Sequence, residues 1–113
     1  MKVIDVYSRY FAAECVYNGV ERRGALVRLT ATSDAGRIRY DFGLSFFPHR
    51  EEDDFAVSYD ACAEETVFDA PGRRSKKREE ALLPQLRERV DALAASLGGT
   101  VDWDKPLGEA RNG

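Results

Sequence analysis

Apolar and polar residues alternate with a period of two from Gly24 to Phe47, interrupted once at Ser33-Asp34-Ala35-Gly36. Period two sends alternate side chains to opposite faces of a strand, and Asp and Gly supply the reversal, so the stretch reads as a β-hairpin. Pairing Ser33 with Gly36 sets Leu29 against Tyr40, Val27 against Phe42 and Ala25 against Leu44 on one face. On the other face it sets Arg28 against Asp41, an opposite-charge cross-strand pair. A slip of one residue would oppose apolar to polar positions throughout, so the parity is strongly specified.

The preceding stretch, Val3 to Tyr17, contains no glycine or proline and is rich in β-branched and aromatic residues. It ends at Asn18-Gly19, the pair that suits the two positive-φ positions of a type I′ turn. Ala12-Ala13-Glu14 tolerates helix, but the turn favours a strand. Pairing Tyr17 with Val20 then sets Ala12 against Ala25, Tyr10 against Val27, Ser8 against Leu29 and Val6 against Ala31. Tyr7, Arg9 and Phe11 fall on the opposite face, together with Leu26, Arg28, Arg39 and Phe47.

Pro48 to Asp54 is polar and reads as a solvated loop. Phe55 to Ala61 alternates again, which predicts a fourth strand pairing Phe46 with Phe55, with an extension past a bulge as far as Phe68. Asp69-Ala70-Pro71-Gly72 ends it. Leu83, Leu86, Val90, Leu93 and Leu97 then recur at steps of three and four, the stripe of an amphipathic helix over about 76–97. Ser75 suits its N-cap and Gly98-Gly99 its stop. Pro84 removes a backbone bond and predicts a kink or a separate first turn.

The predicted architecture is α+β. A four-stranded antiparallel β-meander (about 3–17, 20–32, 37–47 and 55–68) carries one C-terminal helix on a single face. That face holds Tyr10, Val27, Leu29, Tyr40, Phe42, Leu44, Phe46, Val57 and Tyr59. Residues 100–103 allow a short edge strand, the alternative being that they simply pack Trp103 down; 1–104 make one domain, and 105–113 read as a flexible tail.

A chain of 113 residues suits one core rather than two. Its net charge of −3, from 17 basic and 20 acidic residues, argues against a general polyanion binder. No apolar run reaches the roughly 20 residues that span a bilayer, and Met1-Lys2-Val3-Ile4-Asp5 does not open a signal peptide. Two cysteines, Cys15 and Cys62, are too few for a disulfide framework or a metal knuckle. These features predict a cytoplasmic, reduced protein without membrane contact.

Candidate chemistry is sparse. His49 stands beside Arg50 and the run Glu51-Glu52-Asp53-Asp54, which raises a general base, or a metal ligand assisted by Glu51 or Asp53. Carboxylates adjacent in a loop rarely converge, and no second histidine completes a site. Cys15 near Arg22, and Cys62 near Arg39, lack a nucleophile's signature and read as small strand residues. Phosphate loops and nucleophile elbows are absent from the sequence. The expectation is a non-enzyme with no cofactor, no metal and no small-molecule substrate.

The outer face carries more information. Tyr7, Arg9, Phe11, Leu26, Arg28, Arg39 and Phe47 combine aromatics with arginines, the composition of a protein interface. They predict a binding module that meets a protein partner or forms a homodimer. The format, a small chain without a catalytic motif, suits an accessory or inhibitor protein of a phage or mobile element. The alternative is single-stranded nucleic acid, with bases stacked on the same aromatics and phosphates held by Arg73, Arg74, Lys76, Lys77 and Arg78.

Overall fold

Asn18 and Gly19 adopt φ of 51° and 74°, closing a two-residue turn between β1 (Lys2–Tyr17) and β2 (Val20–Asp34). Ala35 and Gly36 repeat the geometry, at 51° and 75°, between β2 and β3 (Arg37–Phe47). The computed structural model describes residues 1–48 and 61–109. Its remaining elements are β4 (Ala61–Pro71), α1 (Lys76–Leu82), α2 (Leu86–Ser96) and β5 (Gly99–Glu109). The sheet is antiparallel with strand order β4-β3-β2-β1-β5, an α+β arrangement of five strands rather than four.

The second turn corrects the central register. Asp34 pairs with Arg37, so Leu29 meets Phe42, Val27 meets Leu44 and Ala25 meets Phe46. Pairing Ser33 with Gly36 would leave that glycine in the ladder and put Asp34 in the turn. The observed turn places glycine at its second positive-φ position. The displacement is two residues, so every side chain keeps its face, but Arg28 lies opposite Gly43 and not Asp41.

β1 departs further. Beside its turn the expected pairs hold, with Tyr17 against Val20 and Cys15 against Arg22. A bulge between Ala12 and Cys15 then adds one residue to β1, and a second follows between Asp5 and Tyr7. Each bulge reverses side-chain parity. Phe11 therefore meets Ala25, Arg9 meets Val27 and Tyr7 meets Leu29, while Tyr10 turns to the outer face opposite Leu26.

β4 begins at Ala61 and sets Ala61 against Phe46, Ala63 against Leu44 and Glu65 against Phe42. This replaces the Phe46–Phe55 pairing; Phe55, Val57 and Tyr59 lie outside the described residues. β4 continues past Asp69 to Pro71, with a bulge opposite Tyr40 and Asp41. β5 pairs with β1 from Gly99 to Glu109, so 105–109 continue the strand and are not tail.

The core lies between the inner sheet face and the helices. Val27, Leu29, Phe42, Leu44 and Phe46 are buried against Leu82, Leu86, Val90 and Ala94. Fully burying each such Leu, Val or Phe contributes about 1.5–3 kcal/mol, which is the main reason this helix forms. Ser75 caps α1, its Oγ accepting the Arg78 N–H at 3.2 Å. Pro84 sits in a 3-10 turn, Leu83–Gln85, that separates α1 from α2. This turn shifts the helical phase, so Leu82 is buried and Leu83 is exposed, against the expected stripe. Gly98 (φ 74°) ends α2. No helix among the described residues is long and apolar enough to cross a membrane.

Candidate interaction surface

Strand pairing carries outward residues into cross-strand rows. One row is Tyr10, Leu26, Ser45 and Cys62; the next is Ser8, Arg28, Gly43 and Glu64; a third holds Thr30, Asp41 and Thr66. At the end of β3, Phe47 pairs with Gly24 and its ring meets Tyr10 edge-on, centroids 5.4 Å apart at 82°. Leu26 and Phe47 are 8% and 5% exposed, so the apolar centre of this face is already well packed.

The charges around that centre are of two kinds. Arg39 Nε donates to Asp41 Oδ2 at 2.9 Å, and Thr66 Oγ1 donates to Asp41 Oδ1. Two donors hold the buried carboxylate flat along β3, and the Asp41 bond raises the Arg39 pKa. Arg37 donates to Asp69 in the same way at 3.1 Å. Arg28 differs. It is half-buried, and its Nε is enclosed with no hydrogen-bond partner among the described residues. A buried donor without an acceptor costs about 1–3 kcal/mol, so its persistence needs a physical reason.

Of the residues expected on this face, Leu26, Arg28, Arg39 and Phe47 are there. Tyr7, Arg9 and Phe11 are not, because the bulge in β1 turns them inward. Phe11 is 6% exposed and packs edge-on against Trp103, centroids 4.9 Å apart. Tyr7 packs against the core; burial raises its hydroxyl pKa, and Arg9, 5.7 Å above its ring, works the other way. Tyr10 and Glu64 belong to the surface and were not anticipated there. Alternation does identify them once the bulges are known, but nothing local in β1 marks where its extra residues fall.

The basic cluster is divided. Arg74 binds Glu79 with two bonds, 2.7 and 2.9 Å, and Arg78 stacks 4.0 Å over Phe68. Tyr40 completes the first group, donating to Glu79 Oε2 at 2.7 Å and accepting the Ser75 N–H at 3.0 Å. Arg74 and Tyr40 lower the Glu79 pKa against its burial, while burial raises that of Tyr40. The network ties the start of α1 to β3. Arg73, Lys76 and Lys77 remain exposed. Arg73 lines a cleft of about 640 Å³ with Lys2, Arg37 and Arg74 beside the β2–β3 turn.

Cys15 faces the core and not the outer surface. It is 3% exposed, its thiol donates to Leu97 O at 3.5 Å, and burial raises its pKa against the opposing effect of Arg22. Buried Arg22 donates to Tyr17 O and Val20 O, bracing the first turn. Cys62 is exposed and pairs with Ser45 rather than lying near Arg39, and neither cysteine is in a disulfide. His49, Glu51 and Asp53 lie outside the described residues. Among the described residues no group of three or more His, Cys, Asp or Glu could hold a metal ion.

No protein-family model matches the chain, and no curated protein or solved structure matches it significantly.

Proposed function

We propose that this protein is a non-enzymatic binding module that works in the cytoplasm and docks another protein chain on the outer face of its sheet. The half-buried Arg28 carries the reading, because it lies on the face opposite the helices, where aromatic and arginine side chains combine. Tyr10, Leu26 and Phe47 provide a packed apolar centre beside it, and Arg28 and Arg39 provide orientation. A rigid aromatic centre ringed by arginines loses little side-chain entropy on binding, which favours recognition through this patch. Nucleic acid is less favoured: Arg74 and Arg78 are engaged within the chain, which leaves three of the five cluster cations.

Site-specific photocrosslinking in the native cell tests the face. A photoreactive residue at Ser8 or Thr30 is expected to capture a protein, whether another copy or a different chain. The same residue at Glu80 or Glu88, exposed on the helices, is expected to capture none. Equal capture from both faces, or none from the sheet, overturns the reading, as does capture of nucleic acid alone.

A further inference from the structure

Four cationic side chains, Lys2, Arg37, Arg73 and Arg74, line one cleft of about 640 Å³ beside the β2–β3 turn, in a chain whose net charge is −3. Separate segments bring them there. Lys2 opens β1 and pairs with Ser33, near the end of β2. Arg37 opens β3 directly after the turn and pairs with Pro71. Arg73 and Arg74 follow Gly72, whose N–H donates to Gly36 O at 2.9 Å and ties the link between β4 and α1 to the turn. The Arg74–Glu79 pair and Tyr40 then hold the start of α1 against β3.

We infer that this cleft binds an oligophosphate, a short chain of linked phosphate groups. The site uses none of the residues of the proposed protein-binding face and stands independently of it. Like charges gathered around one cleft repel each other, and a bound anion relieves that repulsion. Lys2 and Arg73 are exposed and have no acceptor among the described residues. Arg37 gives its Nε and Nη2 to Asp69, and Arg74 gives its Nε and Nη2 to Glu79. Nη1 of each therefore has no acceptor among the described residues. The one carboxylate among the described lining residues, Asp34, stands 3.9 Å from the Met1 amine, which offsets it.

Size and chemistry select the class of ligand. The cleft falls within the range of about 300–1,000 Å³ typical of small-molecule sites. A carboxylate is planar and accepts from within one plane, whereas a phosphoryl group is tetrahedral and turns oxygens to several walls at once. Cations arriving from β1, from β3 and from the link before α1 suit the second, and guanidinium forks bind phosphate oxygens well. No aromatic ring lines the cleft among the described residues, so a nucleobase has nothing to stack on. Strand pairing and the Gly72–Gly36 bond already fix the backbone that carries these cations, which lowers the ordering cost of binding.

Calorimetric titration of the full chain with sodium triphosphate, in metal-free buffer of low ionic strength, tests the inference. Wild type is expected to bind one equivalent. Arg73→Glu and Lys2→Glu should each weaken binding by at least about tenfold. Arg23→Glu changes the net charge equally but lies exposed near the β1–β2 turn, at the other end of β2, and should stay within about twofold. Thermal melts confirm that the variants are folded, and triphosphate should raise the melting temperature of wild type and Arg23→Glu but not of Arg73→Glu. Adenosine triphosphate identifies the source: equal or weaker binding points to the free phosphate chain, tighter binding to a nucleotide, and either supports the site. No binding at millimolar triphosphate overturns the inference. Equal weakening by Arg23→Glu, or citrate that binds as tightly as triphosphate, also overturns it. None of these results bears on the protein-binding face, which crosslinking at Ser8 and Thr30 reads separately.

Discussion

The Phe47 ring lies across the α-carbon of Gly24, so a β-carbon at position 24 would stand 2.5 Å from two ring atoms. The ring has no easy retreat, because Tyr10 meets it edge-on and Phe47 is 5% exposed. Gly24→Ala is expected to destabilise the fold by about 1–3 kcal/mol through overpacking, measured by urea denaturation. Phe47→Leu in the same chain should recover part of that loss, a coupling that a backbone effect at Gly24 would not produce.

Gly99 and Gly43 bracket that case. A β-carbon at Gly99 would come within 2.9 Å of Cys15 Cβ, of a Phe46 ring atom and of the backbone oxygen of Glu14. Backbone cannot swing aside, so Gly99→Ala should cost more than Gly24→Ala, about 3 kcal/mol, by loosening β5 from β1. At Gly43 the space is open. Gly43→Ala should leave stability unchanged or raise it by about 0.5 kcal/mol through the unfolded chain. Urea denaturation of the three variants reads this order.

The parity of β2 and β3 is legible in the sequence because it tolerates the commonest error in a hairpin. Moving the turn from Asp34-Ala35 to Ala35-Gly36 shifts the register by two residues, and Val27, Leu29, Phe42 and Leu44 all stay inward. β1 offers no such protection. Its bulges add single residues, each of which reverses the face, so Phe11 and Tyr10 exchange sides although both are aromatic and both suit a strand. The capping of α1 by Ser75 and the stop at Gly98 are legible because each depends on one residue's own chemistry. The extent of β5 is not, since Pro106 and the shift between Phe11 and Ala12 disguise its pairing with β1. The part of the candidate surface within reach is therefore the part on β2 and β3, carried by Leu26, Arg28, Arg39 and Phe47.

The two thiols should react at very different rates. Cys15 is buried, donates to Leu97 O and has a raised pKa, so little of it is thiolate at neutral pH. Cys62 is exposed. Titration of the folded protein with an aromatic disulfide reagent should give one fast equivalent, lost in Cys62→Ser, and a second that appears only as the chain unfolds. Rapid reaction of both would contradict the burial of Cys15 beneath the end of α2.

Pro84 makes a prediction about two adjacent leucines. The 3-10 turn over Leu83–Gln85 rotates α1 relative to α2, which puts Leu82 into the core at 6% exposure and leaves Leu83 at 36%. Leu82→Ala should cost about 2–4 kcal/mol, whereas Leu83→Ala should stay within about 0.5 kcal/mol. A continuous helix would reverse the order, because Leu83 and not Leu82 lies on the stripe with Leu86 and Val90. Chemical denaturation of the two variants decides it.

The Tyr40–Glu79–Arg74 network should make stability depend on pH in the acid range. Arg74 and Tyr40 favour the ionised carboxylate, so the Glu79 pKa in the folded chain lies below its ordinary value of 4.5. In the unfolded chain the group binds its proton at the higher pH. Its contribution is therefore full above that ordinary value and is lost as pH falls through the lower folded value. Glu79→Gln removes the charge that Arg74 meets and should cost about 2 kcal/mol at pH 7, below the range for a fully buried pair because Arg74 is 43% exposed. Towards pH 3 the gap between wild type and Glu79→Gln should narrow, because wild type then loses the same interaction. Tyr40→Phe should cost about 1–2 kcal/mol, since it leaves the Ser75 N–H without its acceptor. Denaturation of wild type and both variants at several pH values measures this, and a gap for Glu79→Gln that stays constant down to pH 3 would show that Glu79 is not held as the carboxylate.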